Sequence, residues 1–129
     1  MKSAVQLFIL MTLLLMGCES DVGMDVNVAW EDDNNFTATG DWYLAAAVGS
    51  YLVDSGIAED AFDQEAVTSG EDVSVSFSTS GGGEMYTAFI YLDVDGNGSY
   101  TSSTDNITDY TTEWIDKNED VTFEITPYY

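Results

Sequence analysis

Residues 73–78 read Val-Ser-Val-Ser-Phe-Ser, an uninterrupted alternation of apolar and polar side chains. Successive side chains of an extended chain point to opposite faces, so this period of two places the apolar residues on one face and the serines on the other. Residues 121–126, Val-Thr-Phe-Glu-Ile-Thr, repeat the pattern near the C-terminus. Both segments therefore predict β-strands with one face towards a core and the other towards water.

Four further segments extend this all-β interpretation. Residues 86–92, Tyr-Thr-Ala-Phe-Ile-Tyr-Leu, are apolar on almost both faces, which predicts a strand in the centre of a sheet. Residues 42–53 form a longer apolar stretch that contains Gly49, and this favours a strand with a bulge or bend over a helix. Residues 25–30 predict an opening strand, and residues 110–115 predict a late one.

Turn-forming sequences separate these segments at residues 32–35, 80–83, 95–98 and 117–120. The one helical candidate is the segment 58–67, in which Ala58, Phe62 and Ala66 could share a face. Six or seven short strands separated by such turns predict an antiparallel β-sandwich of the immunoglobulin or prealbumin kind, with Greek-key connections. A helix-rich fold is the alternative.

The first 18 residues have a different composition from the rest. Lys2 precedes an apolar segment, residues 5–16, that is about a dozen residues long and so shorter than the ~20 needed to span a bilayer as a helix. A positive start, a short apolar core and small residues at its end are the layout of a secretory signal peptide. The run 15–18, Leu-Met-Gly-Cys, ends in the only cysteine of the chain and resembles the lipobox of bacterial lipoproteins.

The lipobox resemblance implies cleavage before Cys18 and acylation of its sulfur and its amine. The mature chain would then be anchored to a membrane by lipid and face an extracytoplasmic space of the cell envelope. Glu19 stands where the commonest inner-membrane retention signal has aspartate, which favours an outer membrane if the organism has one. The predicted divisions are a signal peptide (1–17), a lipidated N-terminus and spacer (18–25), and an acidic β-sandwich domain (26–129). A plain cleaved signal or a buried N-terminal helix is the alternative.

The charge of the chain limits its partners. It has 24 acidic and two basic residues, a net charge of −22, and removal of the signal peptide would leave only Lys117 opposite all 24 carboxylates. Such a surface repels nucleic acid and anionic lipid headgroups and attracts cations, so no nucleic-acid partner is expected. Aromatic residues make up 13% of the chain, which favours a folded domain over a disordered acidic segment.

Residues 93–100, Asp-Val-Asp-Gly-Asn-Gly-Ser-Tyr, match the first half of the EF-hand calcium pattern, with oxygen ligands at alternate positions and a glycine at the sharp turn. Calcium binds six to eight oxygens at roughly 2.3–2.6 Å, and alternating ligands on a curling loop can point inwards together. The match is incomplete, because position 12 is Thr104 in place of glutamate and the nearest acid is Asp105. The residues that enter the loop also predict a strand and not a helix.

The loop is similar instead to calcium loops at strand ends in extracellular β-sandwich modules, including those of uncharacterised sandwich lipoproteins. That resemblance implies side-chain oxygens from three residues, a carbonyl from a fourth, a closing carboxylate from a fifth and a further carboxylate as an optional sixth ligand; these are Asp93, Asp95, Asn97, Ser99, Asp105 and Asp109. Affinity would be weak, in the range of roughly 10⁻⁴–10⁻³ M found for extracellular modules. The alternative is a hairpin turn without metal, which the same Asp-Gly and Asn-Gly pairs favour.

The residue inventory argues against an enzyme. The chain has no histidine, no arginine and no second cysteine, which excludes the usual Ser-His-Asp and Cys-His systems and an ordinary zinc site. The sequence therefore predicts a structural or interaction module, with a protein or glycan partner in the envelope. A carbohydrate-binding module is the alternative, and it would need Trp30, Trp42 or Trp114 as an exposed platform for sugar rings.

Overall fold

The computed structural model describes residues 20–32, 39–50 and 56–129, so the predicted signal peptide and Cys18 lie outside the described residues. The described part contains a single-turn helix, α1 (Gly56–Glu59), and seven strands. The strands are β1 (Asp21–Val28), β2 (Asp41–Val48), β3 (Asp63–Val67), β4 (Val73–Ser80), β5 (Glu84–Asp93), β6 (Asn106–Ile115) and β7 (Asp120–Ile125). No helix in these three ranges has the length and apolar content to cross a membrane.

The strands form two sheets packed face to face. One sheet has the order β4-β1-β7 and the other has the order β3-β2-β5-β6. Within the sheets β1 lies beside β4 and β2 lies beside β5, so the connections from β1 to β2 and from β4 to β5 both cross between the sheets. The predicted all-β sandwich is confirmed, with one departure: β1 and β7 are parallel, whereas the other neighbours are antiparallel.

The main core lies between the two sheets and explains the alternating segments. Val75 and Phe77 of β4 and Phe123 and Ile125 of β7 are each less than 10% exposed, while the residues between them face water. Full burial of such a side chain stabilises the fold by roughly 1.5–3 kcal/mol. The strands predicted at 73–78 and 121–126 are therefore confirmed.

The central position of β5 is also confirmed, and both of its faces are buried from Tyr86 onwards. One face contributes to the main core. The other face carries Phe89 and Tyr91, which belong to a second apolar cluster on the outer side of the four-stranded sheet. Ala58 of α1 and Tyr100 of the loop after β5 cover this cluster, which explains why the β5 sequence is apolar on both faces.

Two predicted segment boundaries were wrong. β1 begins at Asp21, so residues 21–25 of the predicted spacer belong to the sheet. β2 ends at Val48, because the chain turns at Gly49, whose φ is +116° and whose N–H bonds to the carbonyl oxygen of Met85 at 2.8 Å. The rest of the predicted strand 42–53 is therefore not part of β2, and residues 51–53 lie outside the described residues.

The helix predicted at residues 58–67 was also wrong. Helical structure ends at Glu59, and Asp63–Val67 form β3, which pairs antiparallel with β2. A strand next to β2 satisfies backbone groups that β2 would otherwise leave unpaired on that side. This tertiary pairing outweighs the local helical preference of an alanine-containing segment.

Candidate metal centre

The candidate site is built on two neighbouring strands. Asp93 is the last residue of β5, and Asp105 immediately precedes Asn106, the first residue of β6. β5 and β6 are antiparallel and Leu92 pairs with Asn106, so the two ends of the connecting loop lie side by side. The topology thus brings together two aspartates that are 12 positions apart in the sequence.

Asp93, Asp95 and Asp105 form an aspartate triad at this end of the sheet. Each contributes one carboxylate oxygen, and the three oxygens lie within 4.8 Å of one another. Two oxygens bound to one calcium ion at roughly 2.3–2.6 Å are separated by at most about 5 Å, so this spacing fits a shared ion. Asp93 is 2% and Asp105 5% exposed, whereas Asp95 is exposed, and the triad could hold a metal ion at the protein surface.

The two buried carboxylates organise the loop from within. Asp93 accepts the backbone N–H groups of Gly96 at 3.1 Å and Gly98 at 2.8 Å, one on each oxygen. Asp105 accepts those of Val94 and Thr101, both at 2.8 Å. Asp105 Oδ1 also accepts the backbone N–H of Asp95 at 3.4 Å. These bonds compensate the loss of water around buried charges, and an oxygen that accepts a single N–H keeps a second lone pair that a cation can use.

Gly96 and Gly98 permit the turn that these bonds require. Their φ angles are +71° and +77°, in the left-handed region that side chains with a Cβ rarely adopt. A hairpin turn without metal and a calcium loop would both contain these glycines. In this structure they direct two backbone N–H groups towards Asp93.

Asp95 is the exposed member of the triad. Its Oδ2 accepts the Thr104 hydroxyl at 2.9 Å, and its Oδ1 accepts the Asn97 backbone N–H at 3.2 Å. Desolvation acts to raise the pKa of Asp95, but these hydrogen bonds outweigh it and hold that pKa below its usual value. Asp95 is therefore charged at neutral pH, as a metal ligand must be.

Of the three remaining predicted ligands, Asn97 and Ser99 lie in the loop beside the triad, and Asp109 does not. Asn97 donates from Nδ2 to Asp95 Oδ2 at 3.3 Å, while its Oδ1 accepts the backbone N–H of Ser99 at 2.9 Å. Asp109, predicted as a sixth ligand, is elsewhere: its Oδ2 accepts the backbone N–H of Thr126 at 2.7 Å. The structure does not support a ligand role for Asp109.

The contacts that hold the loop from outside were not predicted from the sequence. Gln64 of β3 donates to the carbonyl oxygen of Gly98 at 2.6 Å and accepts the Tyr91 hydroxyl at 2.7 Å. The ring of Tyr100 packs edge-on against Phe89 and Tyr91, with centroids 6.1 and 5.4 Å apart. These contacts connect the triad to the second apolar cluster. In the sequence, only the aromatic side chain of Tyr100 indicated that the loop packs against apolar residues.

Electrostatics supports the same arrangement. Burial, followed by the negative charge of nearby Asp93, raises the pKa of Tyr91 well above its usual value, so its hydroxyl remains a hydrogen-bond donor to Gln64. Hydrogen bonds from Ser102 lower the pKa of Glu59, which accepts the Ser102 backbone N–H at 3.1 Å. The loop is thereby joined to α1 as well as to β3.

The three tryptophans differ in exposure. Trp42 is 7% exposed, and Trp30 packs edge-on against it with a centroid separation of 5.1 Å. Trp114 is 53% and Tyr110 45% exposed, and both point to the outer face of β6. Trp30 and Trp42 therefore belong to the core, and Trp114 is the tryptophan that could meet a ligand.

Comparison of the chain with protein-family models, with curated proteins and with solved structures finds no match.

Proposed function

We propose that this protein is a non-catalytic structural or interaction module of the cell envelope, anchored by lipid at Cys18 and stabilised by calcium in the loop 93–105. The aspartate triad carries the calcium part of the proposal. Three carboxylates converge on one point, two of them are buried, and their mutual repulsion would be relieved by a cation between them.

The donor set favours calcium over other common ions. The triad offers oxygen ligands only, whereas zinc sites in proteins usually include nitrogen or sulfur. Magnesium requires a near-ideal octahedron and retains several waters, while calcium accepts six to eight oxygens in a flexible loop. Asp93, Asp95 and Asp105 would supply carboxylate oxygens, and the Asn97 side chain and the Ser99 carbonyl would complete the protein ligands.

The calcium proposal is tested by thermal unfolding in calcium, in magnesium and in chelator at fixed ionic strength. Calcium should raise the melting temperature more than magnesium, and Asp93→Asn should abolish the difference. Glu113→Gln is the matched control, because it removes one exposed carboxylate from the opposite end of β6. An equal response to both salts, unchanged by Asp93→Asn, would show charge screening alone.

The anchor is tested separately by membrane fractionation. Cys18→Ser, expressed behind a signal peptide whose cleavage does not need the cysteine, should move the protein from the membrane fraction to the soluble fraction, because the variant cannot carry the sulfur-linked acyl chain. Membrane retention of the variant at the wild-type level would refute lipidation as the tether, without bearing on calcium.

A carbohydrate-binding role is a second candidate, supported by the exposed rings of Trp114 and Tyr110 on one face of β6. Such rings can stack on neutral sugars without opposing the acidic surface. Oligosaccharides that bind through this face should change the Trp114 fluorescence, and Trp114→Ala should remove the binding. A Trp114→Ala variant with unchanged binding would exclude this face.

A further inference from the structure

The edge strands of the two sheets are protected to different degrees. An edge strand exposes a row of unpaired N–H and C=O groups, and natural proteins usually shorten, charge, bend or cover such strands. The sheet orders leave β4 and β7 at the edges of one sheet and β3 and β6 at the edges of the other. Among the described residues, β4 is the one of these four strands that lacks this protection.

β6 carries two charged residues, Asp109 and Glu113, and its side chains satisfy backbone groups of β7 along one side of the sandwich. The Thr111 hydroxyl of β6 donates to the carbonyl oxygen of Glu124 in β7 at 2.7 Å. The Asp109 carboxylate of β6 accepts the backbone N–H of Thr126, just after β7, at 2.7 Å. The β6 edge is therefore charged, and two backbone groups at the β7 edge are bonded to side chains of β6.

β3 and β4 lie along the other side and differ from each other. β3 has five residues and carries the charges of Asp63 and Glu65. β4 has eight residues, with no charged residue, no proline and no positive φ. Within the described ranges β4 pairs only with β1, so alternate N–H and C=O groups on its other side have no backbone partner there.

An acidic groove of about 170 Å³ lies beside this free edge. Its carboxylates include those of Glu65 and Glu71, and its apolar surface includes Val67, Val73 and Val75. A strand added to β4 would direct alternate side chains towards this groove. Lysine and arginine fit it best, because an apolar stem can lie along the valines while the cationic head reaches the carboxylates.

We propose that β4 is a docking edge for an extended, lysine- or arginine-bearing segment of a partner protein, which joins the sheet as an additional strand. Backbone hydrogen bonds to β4 supply the binding, and basic side chains in the groove supply the selectivity. With 24 acidic and two basic residues, a second copy of this chain is repelled from the same edge. The inference rests on the proposed interaction role and is independent of calcium and of the anchor.

The test uses the purified full chain and a synthetic peptide of four Lys-Thr repeats. Calorimetric titration should show binding, and hydrogen exchange should slow at alternate backbone amides of β4 (Val73–Ser80). A peptide N-methylated at alternate residues has the same charge but cannot form the ladder, so its affinity should fall by about tenfold or more. A Glu-Thr peptide should not bind.

Paired variants test the groove. Glu65→Gln with Glu71→Gln should weaken binding of the Lys-Thr peptide by roughly three- to tenfold, as expected for the loss of two exposed ion pairs. Glu113→Gln with Glu119→Gln removes the same charge from β6 and the turn after it, away from the groove, and should leave the affinity nearly unchanged.

Three results would overturn the proposal. Equal binding of the N-methylated peptide would show charge attraction without strand addition. β4 amides already protected in the free monomer would show that another segment of the chain covers the edge, and protection on formation of a dimer would show pairing between copies. None of these results affects the calcium-dependent melting or the Cys18→Ser fractionation, so failure here is distinct from failure of the proposed function.

Discussion

Asp105 and Asp95 belong to the same triad but stabilise the loop in different ways. Asp105 is 5% exposed and uses both oxygens to accept backbone N–H groups, those of Val94 and Thr101. Asp95 is exposed, and its Oδ2 accepts the hydroxyl of Thr104, which can rotate and donate to water instead. Replacement of each by asparagine therefore tests the architecture of the loop separately from the proposed metal binding.

In chelator, Asp105→Asn should lower the free energy of unfolding by about 1–3 kcal/mol, because an amide oxygen can replace only one of the two acceptors and a buried N–H loses its partner. Asp95→Asn should change it by less than about 0.5 kcal/mol, as is usual for a surface substitution. In calcium both variants should lose the metal-dependent stabilisation. Urea unfolding in each condition measures these differences, and equal losses in chelator would contradict the assignment.

The residues of the triad could be predicted from the sequence because they are local. Asp93 and Asp95 lie in one motif, and Asp105 closes the same loop. Gln64 could not be predicted, since it reaches the loop only because β3 pairs with β2 and places it beside Tyr91 and Gly98. The spacing of the three aspartates is encoded along the chain, whereas the supporting contacts depend on the completed fold.

The turn between β4 and β5 shows how one element limits its sequence. A Cβ on Gly82, whose φ is +118°, would lie 2.6 Å from the Cα of Lys117, so the backbone would have to move. Gly83 has a φ of +71° and open space around it. The two neighbouring glycines therefore differ in packing while both have positive φ.

Gly83→Ala should cost about 1–2 kcal/mol, the usual penalty of left-handed backbone for a residue with a Cβ. Gly82→Ala should cost about 2–4 kcal/mol, because a clash with backbone atoms is added to that penalty. Chemical unfolding of the two variants side by side measures the difference. Equal costs would show that the turn can shift away from Lys117 without loss.

Patterns of period two predicted the strands well and their pairings poorly. Alternation in β4 and β7 and two-sided apolarity in β5 are properties of single segments. The parallel pairing of β1 with β7 has no local signature, because either neighbour orientation buries the same alternate residues. The helix predicted at 58–67 was wrong for the same reason, because pairing with β2 determines the conformation of this segment.

The topology of the whole molecule separates the proposed anchor from the proposed metal site. β1 begins at Asp21, where it pairs with Ser80, and β5 begins at the same end with Glu84. The aspartate triad lies at the opposite end of β5, nine residues further along, which at about 3.3 Å per residue is roughly 30 Å away. Lipid at Cys18 would leave residues 19 and 20 as the connection, an extended reach of about 10 Å to β1.

If Cys18 carries lipid, the molecule should stand with the β1 start near the bilayer and the aspartate triad away from it. A donor dye on Ser80→Cys should transfer energy strongly to an acceptor on headgroups of zwitterionic vesicles, and the same dye on Ser103→Cys should transfer weakly. Both positions are exposed, so the labels differ mainly in height above the membrane. Equal transfer from the two sites would mean that the domain lies flat, which would bring the aspartate triad within reach of the lipid surface.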